Sequence, residues 1–335
     1  MKRNPLSVLR QTPLAAFISC SLLFAQESKL SGPVSGYVYE ASSKTLRQVI
    51  GVPGAAYLGP AIRGGIDFAS ASPDGRVVVT LSGGNLAVAG IESPDGASLA
   101  VQAADAVSRA AWADDSSAVA VWMETSRRLL LWRTGESAWQ SLELPAGDWQ
   151  AMAVASQGTA VLLGVASDGL ASLYRLSPGD GAVSLARLES ITAIAIGPHE
   201  AYVADRVRGE ILAVRDWRGS ATIALLANEA RGVSDPVGLG LSTGGRMLLA
   251  AGGKDKSVSL IDLASASVSA RLETDQEPAT MQLLVSGDRG GQRIFLLNRP
   301  DDSEEALQVV TASGEPGVFF VPRAAASDSL TGVED

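Results

Sequence analysis

The stretch that decides the fold is PVGLGLSTGGRMLLAAGGKDKSVSLIDLASASVSARLE, which runs from Pro236 to Glu273. It contains four short apolar stretches, and Gly, Asp, Lys, Ala and Ser residues that fit tight turns separate them. In SVSLIDL, Val258 and Leu260 alternate with serines, which is the period of two expected of a half-buried strand. No stretch longer than about 10 residues keeps the helical period of 3.6. The sequence therefore predicts an all-β protein.

The same unit recurs along the chain. A small polar turn after an apolar strand returns at steps of 41, 42, 42, 45 and 43 residues, marked by Gly75, Ser116, Gly158, Glu200, Gly245 and Asp288. A period of roughly 40–45 residues built from four strands is typical of a β-propeller blade. Six complete units extend from about Gly65 to Pro322. We predict a single β-propeller of six to seven four-stranded blades.

The domain organisation follows from this repeat. Residues 1–25 form a predicted signal peptide, residues 26–64 an N-terminal strand pair and linker, residues 65–323 the propeller repeats and residues 324–335 a small, acidic tail expected to be disordered. In the second segment, GYVYEAS and TLRQVIG (Gly36 to Gly51) resemble only the outer two strands of another blade. This half-repeat is either a seventh, incomplete blade or a closure element of a six-bladed ring, and the sequence slightly favours seven.

The N-terminus is typical of a secretory signal. Three basic residues within the first ten positions precede the apolar run Leu14 to Phe24, and cleavage is expected after Ala25. The run is shorter than the roughly 20 residues needed to span a bilayer. Cys20 would anchor a lipoprotein only if Phe17-Ile18-Ser19 served as the recognition box, which is the minor alternative. We expect an exported protein, periplasmic or extracellular, with no thiol in the mature chain.

Charge restricts the classes of partner. The formal net charge is −9, and removal of residues 1–25 takes away three positive charges and leaves −12. Binding to nucleic acid depends on clustered Lys and Arg side chains, so an acidic chain is not expected to bind nucleic acid. With no membrane span expected, the mature protein should be a monomer whose partner is a protein, or a glycan or small ligand at one mouth of the propeller.

The first strand of each unit is rich in small residues, as in GIDFASAS, WQAMAVAS and PVGLGLS. In a propeller this strand lines the narrow central channel, where crowding favours Ala, Gly and Ser.

Two kinds of local pattern resemble known bacterial propeller repeats. The stretches Leu248 to Glu273 and Ala201 to Asp216 resemble YVTN-type repeats, with Tyr202-Val203-Ala204-Asp205 at the position of the name-giving tetrapeptide. The stretches Ala69 to Leu81 and Ala110 to Trp122 resemble the TolB-type, WD-repeat-like motif. The resemblance implies a propeller and names no function, because propellers host many unrelated activities.

Few residues suggest a reactive or metal site. His199 is the only histidine and lies in a turn, too little for a zinc site. The Asp-Gly pairs at 74–75, 95–96, 168–169 and 180–181 fit β-turns better than calcium loops. The acidic segment Asn298 to Glu305 fits a solvated loop. We identify no catalytic, cofactor-binding or metal-ligating residue, and we expect no cofactor.

Tryptophan is the strongest compositional anomaly, since five of the six lie in or beside one unit. If the hairpin turns centre near residues 117, 127 and 135–136, four rings form a ladder on one face of the second complete unit: Trp112, Trp122, Trp132 and Trp139. An exposed ladder would provide a stacking platform, whereas a buried one would form a blade-to-blade interface together with Trp149.

The function expected from the sequence is an exported binding scaffold with an unknown partner. One alternative is a lactonase-like propeller hydrolase that uses charged loop residues at the channel mouth, near the starts of the inner strands: Asp67, Arg109, Asp148, Glu189, Asp235 and Glu277. It would need a convergent pair of carboxylates with separated pKa values. The other alternative is a structural component of the envelope. An enzyme is the less expected of these classes.

Overall fold

A computed structural model describes residues 32–92, 99–102, 105–287, 292–300, 306–312 and 315–323. The predicted signal peptide with Cys20, the pair at 95–96, most of the acidic segment and the tail from 324 lie outside the described residues. Within these ranges the chain forms 27 strands and two single-turn 3-10 helices, at Ser156–Gly158 and Glu229–Arg231. The all-β prediction is confirmed.

The strands form seven antiparallel sheets, here called blades 1 to 7. Blade 1 has three strands: β1 Val34–Glu40, β2 Thr45–Ile50 and β3 Tyr57–Gly64. Blade 2 contains β4 Phe68–Ala71, β5 Val77–Ser82, β6 Asn85–Gly90 and β7 Leu99–Gln102. Blade 3 contains β8 Val107–Trp112, β9 Ala118–Met123, β10 Arg128–Arg133 and β11 Gln140–Leu142. Blade 4 contains β12 Asp148–Val154, β13 Val161–Ser167, β14 Leu170–Leu176 and β15 Val183–Leu188.

The remaining blades repeat the pattern. Blade 5 contains β16 Ala193–Ile196, β17 Glu200–Asp205, β18 Glu210–Arg215 and β19 Thr222–Ala227. Blade 6 contains β20 Pro236–Leu241, β21 Met247–Gly252, β22 Ser257–Asp262 and β23 Ser267–Glu273. Blade 7 contains β24 Gln282–Val285, β25 Ile294–Leu296, β26 Leu307–Thr311 and β27 Val318–Val321.

The first strands of the blades form a closed ring. Each contacts the next, in the order β1, β4, β8, β12, β16, β20, β24 and back to β1. This arrangement is a seven-bladed β-propeller, so the higher of the two predicted blade counts is correct.

Strand alternation builds the core between blades. In β17, Tyr202 and Ala204 pack in a cluster with blade 6, whereas Ala201 and Val203 pack in a cluster with blade 4. Successive side chains of a strand point to opposite faces of its sheet. Each blade therefore buries both faces against its neighbours, and apolar burial of this kind is the main stabilising contribution.

Blade 1 differs from the others in chain direction. Tyr39, near the end of β1, lies with its ring centroid 6.0 Å from that of Phe68 at the start of β4. The ring of Tyr37 lies beside Gly75, beyond the end of β4. Strand β1 therefore runs antiparallel to β4 and takes the innermost position of its sheet. The hairpin predicted as the outer two strands of a blade thus supplies the inner two, β1 and β2.

The ring closes where blade 7 meets blade 1. The Leu58 N–H donates to the Pro322 carbonyl at 3.0 Å, and the Arg323 guanidinium donates to the buried carboxylate of Glu40 at 2.9 Å. Apolar side chains of both blades, including Val38 and Leu284, complete one core cluster. The closure protects sheet edges that would otherwise be free to pair with other chains.

The propeller has two faces. We call the side where β4, β8, β12, β16, β20 and β24 begin the start face, and the side where they end the end face. The parallel bridge between Ala113 and Val154, at the ends of β8 and β12, shows that neighbouring inner strands share this direction.

Candidate functional site

The central channel contains a cavity of about 640 Å³, and residues of all seven blades line it. Pockets of roughly 300–1,000 Å³ commonly hold small ligands. Much of the wall consists of the small side chains that the sequence placed in the inner strands, such as Ala153, Ala195 and Gly240. Because these side chains are short, the channel stays open between the blades.

The end face of the channel is bridged by hydrogen bonds. Arg293 of blade 7 donates to the Asp114 carboxylate of blade 3 at 2.7 Å and to the Leu241 carbonyl of blade 6 at 3.1 Å. The Ser286 N–H donates to the Pro73 carbonyl of blade 2 at 3.1 Å. These contacts join four blades across the floor of the cavity, and Asp114 is the only carboxylate among the described residues of its lining.

The start-face mouth has the opposite character. Arg109 of β8 and Arg299, in the loop after β25, are the only cationic side chains among the described lining residues. The Arg109 guanidinium carbon lies 4.7 Å from the ring centroid of Trp149, a cation–π contact. Neither arginine forms an ion pair within the described part of the chain. The mouth therefore presents two positive charges to solvent.

The position of Arg109 is unusual within the repeat. Counted three residues back from the end of each inner strand, the equivalent positions hold Phe68, Arg109, Ala151, Ala193, Gly238 and Gln282. A register shift between Val107 and Arg109 marks a β-bulge immediately before it, and β12 and β20 have the same shift before Ala151 and Gly238. The bulge is therefore a feature of several blades, and the charge at this position is what distinguishes Arg109. Arg109 was among the charged residues that the sequence placed near an inner-strand start, and it is the only charged residue among these six equivalent positions.

The environment of Arg109 disfavours the protonated, charged form of its side chain. Partial burial lowers the pKa of Arg109, and the positive charge of Arg299 lowers it further. Arginine keeps its charge at any physiological pH, so the lowered pKa indicates an unfavourable charged environment and not a neutral side chain.

Most predicted rim carboxylates serve the fold. Asp67 accepts from the Lys44 ammonium at 2.8 Å, and Asp235 accepts from the Arg206 Nε at 2.6 Å. Burial raises the pKa of Asp235, but the bonds from Arg206 and a backbone amide outweigh it, so the pKa is lowered overall. Asp148 lies 3.4 Å from the guanidinium of Arg127. Each pair joins the hairpin of one blade to the inner-strand start of the next.

Asp105, which the sequence analysis did not single out, has a related structural role. Its carboxylate accepts the Thr125 N–H at 2.9 Å and the Ser126 N–H at 2.6 Å, which orders the hairpin between β9 and β10. Glu189 and Glu277 are exposed on the rim, and neither lines the cavity. No two carboxylates converge in the described part of the channel.

The predicted tryptophan ladder is wrong. Trp112 and Trp132 both lie opposite Val119 and face blade 2, with Trp139 beside them. Trp122 points to the other face, where its ring centroid lies 5.4 Å from that of Trp149. The rings are divided between two blade interfaces, as in the packing alternative. Buried aromatic surface of this kind stabilises the contacts between blades.

The other singled-out residues occupy turns. His199 is exposed between β16 and β17, and Asp74 accepts hydrogen bonds from Ser72 and Arg76 within its own turn. Asp168 adopts a left-handed φ of 54° before Gly169, as a tight hairpin turn requires. The described residues contain no group of three His, Cys, Asp or Glu side chains that could hold a metal ion. None of the described helices has the length and apolar character needed to cross a membrane.

Comparison with known proteins supports the fold only. No protein-family model matches the sequence, and no curated protein matches it. A crystal structure of a functionally unknown protein from Desulfotomaculum acetoxidans aligns with a TM-score of 0.57 and 15% identity, covering 86% of this chain and 99% of that one. A structure of a nidogen/laminin complex aligns with a TM-score of 0.47 and 10% identity, over 71% of this chain and 92% of that chain. At 15% identity the likeness to the Desulfotomaculum acetoxidans protein shows the fold alone.

Proposed function

We propose that the protein is an exported binding protein whose ligand enters the channel from the start face. The observation that carries this proposal is the difference between the two ends of the channel. The floor is bridged by Arg293 and Asp114, whereas the mouth presents Arg109 and Arg299 without ion-pair partners among the described residues. A rigid ring that presents converging loops is a common binding scaffold.

Export is part of the proposal and depends on the N-terminal sequence. The basic segment, the apolar run and the cleavage site after Ala25 support it. We also propose that the repeats are of the YVTN and TolB-like kind, which Tyr202-Val203-Ala204-Asp205 supports.

A propeller hydrolase has less support. It would need two carboxylates that converge on a substrate. The described lining of the cavity contributes one carboxylate, Asp114, which already pairs with Arg293. The rim carboxylates Asp67 and Asp235 are likewise engaged with basic side chains.

Site-specific photo-cross-linking tests the proposal. A photoreactive phenylalanine analogue replaces Ser108, which is exposed in the start-face mouth, or Ser156, which is exposed on the end face. After irradiation in the producing cells, we expect the mature chain to begin at Gln26 and to carry an adduct only from position 108. An adduct only from position 156, or a retained N-terminus, would contradict the proposed face or the proposed export. Stable adducts with several envelope proteins at both positions would instead support a structural component.

A further inference from the structure

We infer that the start-face mouth binds a small oxyanion, a carboxylate or phosphate group held between Arg109 and Arg299. This inference rests on the proposed function and adds the chemistry of the ligand. Guanidinium groups present planar sets of N–H donors that match carboxylate and phosphate oxygens, often in bidentate pairs.

The aromatic residues fix one of the two arginines. Trp149 contacts the Arg109 guanidinium through its ring face, and Trp122 packs against Trp149 from blade 3. Stacking covers a face of the guanidinium plane and leaves the N–H donors at its edge available. Trp149 is therefore a positioning residue, and Arg109 is the group that would contact the ligand.

Among the described residues, no ion pair compensates the charges of Arg109 and Arg299, unlike other basic side chains on this face. Lys44, Arg127 and Arg206 each pair with an aspartate of the next blade. Arg109 and Arg299 instead repel each other across the mouth, which contributes to the lowered pKa of Arg109. An anion between them would relieve this repulsion. In a mature chain of net charge −12, a local positive mouth would also steer anions to the channel.

The shape of the cavity favours a small ligand over a protein segment. The cavity holds about 640 Å³ and ends at the bridge between Asp114 and Arg293. Behind the arginines the wall offers neutral polar groups, including Thr280 and Gln282, and small apolar side chains. Such a site suits a compact molecule with one anionic end.

Isothermal titration of the mature protein, residues 26–335, tests this inference with three probes: citrate, inorganic phosphate and the neutral sugar glucose. We expect citrate, phosphate or both to bind, and glucose not to bind. Arg109→Gln and Arg299→Gln should each weaken anion binding by about tenfold or more, as expected for a lost charge-assisted contact. Raising NaCl from roughly 50 to 200 mM should also weaken it. A citrate-only result identifies carboxylate ligands, and a phosphate-only result identifies phosphorylated ones.

The matched control is Arg218→Gln. The Arg218 guanidinium carbon lies 4.0 Å from the ring centroid of Trp217, so it repeats the arginine-on-tryptophan contact outside the channel. We expect this variant to bind the probe within about twofold of the unchanged protein. Equal binding by Arg109→Gln, Arg299→Gln and the unchanged protein would overturn the inference. Each variant is first shown to unfold at the same urea concentration as the unchanged protein.

A further variant tests whether the two arginines pair with acidic side chains of the same chain instead of with a ligand. Asp301, Asp302, Glu304 and Glu305 follow Arg299 in the sequence. The variant replaces all four with their amides. Anion binding seen only in this variant would overturn the inference, and so would no anion binding in any form. If position 108 nevertheless captures a neutral molecule in cells, the proposed binding function stands and the oxyanion chemistry fails.

Discussion

Asp205 offers a demanding test of how the blades are joined. This residue ends β17 and is fully buried. Its carboxylate accepts the Glu189 N–H at 3.0 Å, the Ser190 hydroxyl at 2.8 Å and the Arg208 N–H at 3.2 Å. It therefore ties the linker between blades 4 and 5 to the hairpin that follows β17. Asp205→Ala removes the carboxylate that accepts hydrogen bonds from all three of these donors.

The magnitude follows from the exposure of those donors. Hydrogen bonds to a charged group contribute about 1.5–3 kcal/mol each. Glu189 and Arg208 are exposed residues, so water can reach their amides after the substitution, whereas Ser190 is buried. We therefore expect a loss of about 3 kcal/mol, less than the sum of three bonds. Asp205→Asn keeps one acceptor oxygen and should lose about half as much.

Urea unfolding followed by tryptophan fluorescence measures this loss. With a slope of about 3 kcal/mol per molar urea, the midpoint of Asp205→Ala should fall by about 1 M. Asp262→Ala is the control, because Asp262 also accepts three hydrogen bonds, from Ala264 and Ser265, but in a solvent-facing turn. We expect a clearly smaller change there. Equal midpoints for Asp205→Ala and the unchanged protein would refute the reasoning.

Three further predictions follow from individual contacts. Gly240→Ala places a Cβ 2.6 Å from the Phe295 ring, so it should destabilise the protein by about 1–3 kcal/mol in urea unfolding; an unchanged midpoint would contradict the packing described. A double-mutant cycle of Arg293→Gln and Asp114→Asn should give a coupling of about 1 kcal/mol, since Asp114 is 44% solvent-exposed; zero coupling would show that the floor bridge contributes nothing. The lowered pKa of Asp235 means that its stabilising contribution is present above the unfolded-state pKa of about 3.9 and disappears as the pH falls through the lower folded-state value. Asp235→Asn should therefore lose less stability than the unchanged protein between about pH 5 and pH 3, and equal losses would contradict the assignment.

Much of the fold could be predicted from the sequence because each blade repeats the same local signals. Alternation in strands such as SVSLIDL and small polar turns near every 42nd residue define the blades without any long-range information. The small residues of PVGLGLS likewise indicated the channel wall, and they line it.

The order of strands in blade 1 could not be read in the same way. GYVYEAS and TLRQVIG resemble outer strands in their local pattern, yet β1 takes the innermost position of its sheet. The innermost position of β1 depends on its packing against β4 and β24, which are far apart in the sequence. Local patterns contain no information about such contacts.

The prediction of a tryptophan ladder was wrong because it assumed a different register between the strands of blade 3. The prediction placed Trp122 opposite Trp112, whereas Trp122 lies opposite Arg109, three residues away. A shift by an odd number of residues moves a side chain to the other face of a sheet. In the same register Arg109 lies opposite Trp122, on the face where it contacts Trp149. Its partner Arg299 could not be predicted, because a loop of blade 7 brings it to the mouth from a distant part of the sequence.

Native mass spectrometry of the mature protein, purified from the cells that produce it, tests the binding account most directly. If the start-face mouth binds its ligand as proposed, the unchanged protein and Arg218→Gln carry the same small bound mass, and the double variant Arg109→Gln, Arg299→Gln lacks it. A bound mass retained by the double variant would contradict the start-face site. A protein that carries no bound mass in any form would contradict the binding function itself.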